Sequence, residues 1–420
     1  MTPALAAEAV PGTAGQAGTR LVIVDAMRAI ALLGIIVTHA STGFLVGPPP
    51  VPDFMSFSAL DRVVAKWVPI LIEGKFFAIF SFLFGLSFAI QLERARRAGR
   101  PFAGRYAWRL LVLMGIGFVH SLYFGGDILM IYALLGLLLL PVYRLRSRTL
   151  VITALILVLN LPGLVLGALF LAAPPQTPEQ QRAQTEEFER SALQQFEIKT
   201  NGTPRELLAL HLTESAKNRA FFQVYTGRLW ITYGLFLLGI CAGRARLFEQ
   251  CEASTRFFVR LMAASGVAAA AATVFVVLNP VSFERSLGTV VSWYVGTIQH
   301  SLLAAFYLAV AALLLWKPAA AAVTRLLAPM GQAGLTSYLS QSVFGVSVFY
   351  GIGFGLLGQL GVAASIGLSI AFYVAQLLLA RWWMTRFRFG PVEWLWRSLT
   401  DLQAQPMRRG GGHAAAPERP

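Results

Sequence analysis

The first apolar run, RLVIVDAMRAIALLGIIVTHA (20–40), holds two residues whose spacing has chemical consequences. Arg28 and His39 are eleven positions apart. At about 100° and 1.5 Å per residue they share one helix face, about 16 Å from each other along the axis. One stripe of this helix thus carries a cation at one end and an imidazole, the side chain that gains or loses a proton near neutral pH, at the other. Asp25, three residues before Arg28, can pair with it on the same face. The plainer alternative is an interfacial Asp25–Arg28 ion pair with His39 among the outer headgroups.

A second constellation is FVHSLYFGGDIL (118–129), with a histidine, two glycines and an aspartate between two long apolar runs. Gly125 and Gly126 read as a tight turn, and Asp127 as the cap of the next helix. His120 lies inside the apolar run, where an ionisable side chain is a functional candidate, against the alternative of a packing histidine. Glu73 and Lys75 sit inside WVPILIEGKFFAIFSFLFGLSFAI (67–90). Two apart on a helix they do not face each other, so each needs a partner from another span, or water. Charges at that depth cost about 2.5–3.5 kcal/mol each on insertion scales. Further along, Gln299 and His300 lie in one apolar run, and Thr336, Ser337, Tyr338, Ser340 and Gln341 in another. Such groups commonly bond between helices, contributing about 0.6 kcal/mol apiece.

The elements that must position these residues are transmembrane helices. Of 420 residues 56% are hydrophobic and only 13% charged, about half the charge of a soluble domain, and the mean hydropathy is +0.63. Ten apolar runs are each long enough to cross a bilayer: 21–44, 65–90, 106–124, 127–143, 149–173, 224–243, 257–278, 293–316, 333–354 and 360–384. The expected fold is therefore all-α and polytopic, with about ten spans. Residues 1–20 form a disordered tail without the basic and apolar regions of a signal peptide. Residues 21–173 make a five-span bundle and 224–400 a second one ending in an interfacial helix, with a disordered tail over 401–420. Between the bundles, 174–223 reads as one or two amphipathic helices at the membrane surface.

Charge sets the orientation. Arg94, Arg96, Arg97, Arg100, Arg105 and Arg109 fill one loop, Arg144, Arg146 and Arg148 the next but one, and later alternate loops repeat the pattern. The positive-inside rule puts those loops and both termini in the cytoplasm, and 174–223 outside. The net charge of +15 is distributed by loop instead of forming one patch, so it is membrane topology and not a nucleic-acid footprint. Cys241 and Cys251 imply no disulfide framework. The sequence shows no Walker-type loop, no dinucleotide fingerprint opening a helix after a strand, and no metal-ligand spacing. No internal repeat of the transporter kind is visible.

FFAIFSFLFGLSFAI, GFVHSLYFGGDIL, GLTSYLSQS and RFGPVEWLWRSLT together resemble YeiB-type bacterial inner-membrane proteins, over roughly residues 20–400. The C-terminal half resembles domain of unknown function 418. The family in turn is similar to the transmembrane acyltransferases, including acyltransferase family 3 and the heparan-glucosaminide acetyltransferases. Those pass an acyl group from cytoplasmic acyl-CoA to an acceptor on the far side. In acyltransferase family 3 an arginine, ten residues and a histidine on the first span form a signature, which Arg28 and His39 fit. The surroundings depart from it, since Arg28-Ala29 replaces the usual Arg-Gly pair, and YeiB-like relatives commonly carry Asn at the histidine position.

The resemblance implies a multi-pass enzyme of the bacterial inner membrane that uses acyl-CoA, acetyl-CoA first, as donor. It implies a small-molecule or glycan acceptor and no metal; a homo-oligomer is left open. Arg28 would meet the CoA phosphates and His39 would be the general base, with Glu73 or Asp127 holding its tautomer and His120 as the alternative base. Lys75 would stabilise an oxyanion, and Gln341 and His300 would bind substrate. The competing function is a small-solute transporter or exporter in which Glu73, His120 and Asp127 form a proton relay; a non-catalytic scaffold is the third.

Overall fold

In the computed structural model the described residues are 22–409, apart from 48, 52, 53, 175, 176, 250 and 282–284. The tail expected over 1–20, and most of the one expected after 401, lie outside them. Every named element among the described residues is helical. All ten apolar runs are helical, and seven helical stretches are long and apolar enough to cross a membrane unaided, or eight if a bent pair counts as one. The helices within 127–143, 224–243 and 333–354 are shorter than that: Leu129–Val142 spans one apolar stretch, and the others are Arg228–Arg244 and Gly334–Phe349.

Helix α1 (Val22–Ala40) is the axis of the bundle. It is apolar on nearly all sides, as a helix surrounded by others must be, and Ala26, Ala29, Ala31, Leu32 and Ile36 are fully buried. The expected second span is interrupted. Helix α2 (Ala59–Leu71) ends, Gly74 takes a left-handed conformation at φ +82°, and α3 (Lys75–Arg97) begins. No side chain fits there, because a Cβ on Gly74 would come within 2.6 Å of the His300 ring. Helix α4 (Ala103–Tyr123) leads through the Gly125–Gly126 turn into α5 (Leu129–Leu137) and α6 (Leu139–Val142). The expected fifth span is likewise broken, into α7 (Ser147–Val158) and α8 (Leu161–Ala172). Fully buried Asn160 sits between them at φ +53° and accepts a hydrogen bond from the Trp230 indole.

The polar segment folds as three helices instead of one or two: α9 (Pro178–Asn201), α10 (Pro204–Leu212) and α11 (Glu214–Tyr225). Thr177 with Gln180 and Thr203 with Glu206 form capping boxes that start α9 and α10. The segment is fastened to one end of the bundle through backbone carbonyls. Lys199 Nζ donates to Val46 O at 2.8 Å, His211 Nδ1 to Leu122 O at 3.0 Å, and Arg219 to Gly125 O at 3.0 Å.

The second half comprises α12 (Arg228–Arg244), α13 (Glu252–Leu278), α14 (Leu287–Leu315), α15 (Ala321–Gln332), α16 (Gly334–Phe349), α17 (Val362–Arg386) and α18 (Pro391–Asp401). Helices α13 and α14 pack as an antiparallel pair at the periphery, and Val267 on α13 is 75% exposed, as a lipid-facing surface requires. Helix α12 runs beside α3 with almost no side chain between them at two points. A Cβ on Gly85 would strike the Phe236 carbonyl, and one on Gly239 the Phe82 carbonyl. Small residues that let backbones meet are the usual means of packing helices in lipid.

Gly85→Val is therefore expected to destabilise the fold by about 1–3 kcal/mol or more through forced separation of α3 and α12. Thermal unfolding in detergent checks this against Gly104→Ala, whose Cβ would meet open space.

Candidate functional site

A cavity of about 910 Å³ runs alongside α1 and is lined by both Arg28 and His39. The eleven-residue spacing thus places both side chains on one open stripe. The remaining lining comes from α3, α4, α5, α9, α11, α12, α15, α16 and α18, so the site belongs to the whole bundle.

At the Arg28 end, the guanidinium pairs with Asp25 one turn earlier and donates from Nη2 to Ser87 Oγ of α3 at 2.6 Å. Arg94, Arg109 and Arg397 line the same end. Arg109 lies 4.0 Å over the Trp396 ring, whose indole donates to Arg109 O at 2.8 Å, which docks α18 on α4. Glu393 on α18 caps the start of α16. It accepts from the Leu335 and Thr336 N–H groups at 2.6 and 3.2 Å and from the Thr336 hydroxyl, the ordinary preference of an anion for a helix N-terminus. Burial raises the Glu393 pKa, and those three hydrogen bonds oppose the rise.

At the other end stand His39, Glu73, Asp127 and Arg228. His39 packs between Phe44 and Phe124, at ring distances of 5.6 and 5.3 Å. Neither expected tautomer-holding partner reaches it. Glu73 faces Arg228 at 3.7 Å, and Asp127 accepts from His120 Nδ1 at 2.7 Å while its second oxygen caps the Met130 N–H at 3.1 Å. Asp127 therefore both caps a helix and orients an imidazole. That imidazole belongs to His120, whose buried Nε2 has no partner among the described residues. His120 stands behind Asp127, against the Tyr338 ring at 5.4 Å, without being part of the lining.

Besides His120, three expected site residues lie outside the cavity lining. Lys75 is fully buried and donates to Pro69 O at 2.9 Å, six residues earlier on its own segment; the partner is not from another span. His300 packs against Gly74, between α2 and α3. Gln341 is occupied with Gln376 of α17 at 3.2 Å, an amide pair between helices. Conversely, Arg228 was not singled out from the sequence. Its guanidinium is held between Phe77 and Phe222, at 4.8 and 4.7 Å, a pair of cation–π contacts. The legible signal was an arginine at the start of a span on the side where basic residues are few. Among the described residues no three His, Cys, Asp or Glu side chains cluster as a metal site.

Residues 242–403 match the family described as Protein of unknown function (DUF418). The chain is 27% identical over 403 residues to "Uncharacterized 39.9 kDa protein in amylase 3'region" of Bacillus acidopullulyticus, covering 92% of this chain and 96% of that one. It is 28% identical to "Uncharacterized protein YxaH" of Bacillus subtilis, over 93% of this chain and 96% of the relative. To "Uncharacterized protein YeiB" of Escherichia coli it is 27% identical, over 92% and 98%. No solved structure matches. The similarity to these three relatives, YeiB among them, extends over more than nine-tenths of the chain, and none of these descriptions carries an activity.

Asp127→Ala removes a cap and leaves His120 unpaired, so a loss of about 1–3 kcal/mol is expected, whereas Asp127→Asn keeps an acceptor for Met130 N–H and loses less; comparative thermal melts decide. Lys199, in the polar segment, has its pKa pushed down to about 7 by burial. The unfolded chain then binds the extra proton between about pH 7 and the ordinary lysine value near 10.4. Stability is accordingly expected to rise with pH across that window, by at most about 1.4 kcal/mol per pH unit. Lys199→Met should flatten that rise in unfolding curves recorded from pH 7 to 10.

Proposed function

We propose that this YeiB-like chain, with its DUF418 region over 242–403, is an integral membrane acyltransferase moving an acyl group from cytoplasmic acyl-CoA to an acceptor on the other side. The observation that carries the reading is one cavity lined by Arg28 at one end and His39 at the other. In this reading all ten helical runs cross or enter the bacterial inner membrane, both termini are cytoplasmic, and the Arg28 end faces the cytoplasm. The shorter runs are completed by their neighbours.

The chemistry follows from the placement. Arg28, already fixed by Asp25 and Ser87, takes a CoA phosphate, with Arg94 and Arg109 adding positive charge at the same mouth. The pantetheine arm extends along the α1 stripe and brings the thioester to His39. His39 removes the proton from an acceptor hydroxyl or amine as the acceptor attacks the thioester carbon. A new C–O or C–N bond forms, the C–S bond breaks, and the proton passes to the departing thiolate. Arg228, held at the same end beside Glu73, replaces Lys75 as the cation available to the oxyanion. The His120–Asp127 pair fixes Asp127 in the outer wall of the cavity.

The transport reading has one observation of its own: Glu73 and Asp127 line the same cavity, and His120 stands one hydrogen bond behind Asp127. Proton-coupled uptake of solute into vesicles would support it.

Acetyl-CoA is expected to stabilise the purified protein, by about 2.7 kcal/mol at a hundredfold excess over Kd. Arg28→Ala should abolish the thermal shift and His39→Ala should retain it. Absence of a wild-type shift at millimolar acetyl-CoA would favour transport.

A further inference from the structure

A second cavity, of about 640 Å³, shares no lining residue with the first. Along α14 its wall is Tyr307, Ala311, Leu314 and Leu315, at i, i+4, i+7 and i+8, and along α15 it is Val323 and Leu327, so each helix gives one face to it. Leu314 and Val323 are each 50% exposed, and the space between them is a groove open to the outside of the bundle. Ala311, Ala319 and Ala320 line it and end at Cβ, so no side chain fills it. The hydroxyl of Tyr307 is already used, donating to Leu71 O at 3.1 Å. Water therefore finds too few partners to occupy the groove, and left empty it would forfeit van der Waals contacts along every wall.

Depth and charge identify the occupant. Helix α14 is one of the seven stretches long and apolar enough to cross a membrane, and Lys317 stands two positions past its last residue, Leu315, where a helix emerges among the headgroups. From Tyr307 to Lys317 is ten residues, about 15 Å of helical rise, which is half of a hydrocarbon core of about 30 Å. The groove thus runs the depth of one leaflet, from headgroups to midplane. Lys317 is its only charged lining residue among the described residues. This lysine is exposed and takes part in none of the ion pairs among them. We infer that the groove between α14 and α15 binds one acyl chain of an anionic phospholipid whose headgroup phosphate rests on Lys317. Ile30 of α1 also lines the groove, about 200° round that helix from Arg28, so the bound lipid braces α1 from behind the stripe that lines the larger cavity. The inference depends on α14 crossing a membrane and on no reading of the activity.

The test uses the full-length protein, stripped of lipid in a neutral detergent. It is titrated with phosphatidylglycerol, with phosphatidylcholine of the same acyl chains, and with glycerol 3-phosphate as the headgroup alone. Native mass spectrometry counts the lipids retained, and thermal unfolding reads the stabilisation. The expected result is a saturable phosphatidylglycerol shift that Lys317→Gln weakens about fivefold in apparent affinity, the worth of one basic residue beside an anionic headgroup. Arg148→Gln, exposed on another loop and outside the groove, should leave that affinity unchanged. Phosphatidylcholine should bind more weakly and be indifferent to Lys317→Gln. Ala311→Phe, which fills the groove, should reduce retention of both lipids, and glycerol 3-phosphate should give no shift. Lys317→Gln alters an exposed side chain and should fold as the wild type does; should Ala311→Phe not fold, Ala319→Phe, at an exposed residue of the same lining, takes its place. Equal phosphatidylglycerol affinity in wild type and Lys317→Gln, an equal shift with glycerol 3-phosphate, or retention unchanged by filling the groove overturns the inference. A stripped protein that dimerises and binds no lipid would seat a second copy in the groove, and overturns it as well.

Discussion

The close approach of α3 and α12 is the constraint from which the site's geometry follows. The two helices run parallel, each entered through a left-handed glycine, Gly74 and Gly227. Gly85 lies on the Phe236 carbonyl and Gly239 on the Phe82 carbonyl, and these two points together fix both separation and register. In that register the position just before Lys75 aligns with Arg228. Glu73 and Arg228 therefore meet at the helix starts, where the cavity needs a charge pair that satisfies itself in an apolar surround. A bulkier residue at either glycine would open the seam and shift the pair out of register.

Within this frame the buried polar groups fall into two kinds. Some are consumed by the architecture: Lys75 by Pro69 O, Gln299 by Ile70 O, Gln341 by Gln376, and Tyr373 by Ala29 O. They close the hydrogen bonds that a membrane interior cannot supply. Others have no hydrogen-bond partner among the described residues, such as His120 Nε2 and the Gln195 and Gln223 oxygens.

That distinction explains what could be read from the sequence. Ten apolar runs announce themselves by composition, and every one is helical. The Arg28–His39 stripe was legible because both residues sit on one regular helix, where spacing alone determines the face. Asp127 as a cap was legible for the same local reason. Lys75, His300 and Gln341 lie outside the lining because Lys75 turns to Pro69 O on its own segment, His300 packs on Gly74, and Gln341 pairs with Gln376 of α17; the last two depend on residues distant in sequence. The His120–Asp127 pairing crosses a turn whose geometry depends on two glycines, so the carboxylate went to the nearer imidazole and not to His39. The inward turn of the polar segment was hidden because Lys199, His211 and Arg219 anchor it through backbone carbonyls, which carry no sequence signature.

The lining of the cavity also bears on how such a chain is divided. Residues 242–403 contribute α15, α16 and α18 to it, including Gly331, Tyr338, Glu393 and Trp396. Arg28, His39, Glu73, Asp127 and Arg228 all come from before that region. The stretch matched by the family model is thus one wall of a vessel whose other walls lie upstream. The compartment has no existence within that stretch alone: cut at residue 242, the chain would leave each piece with an open, incomplete wall.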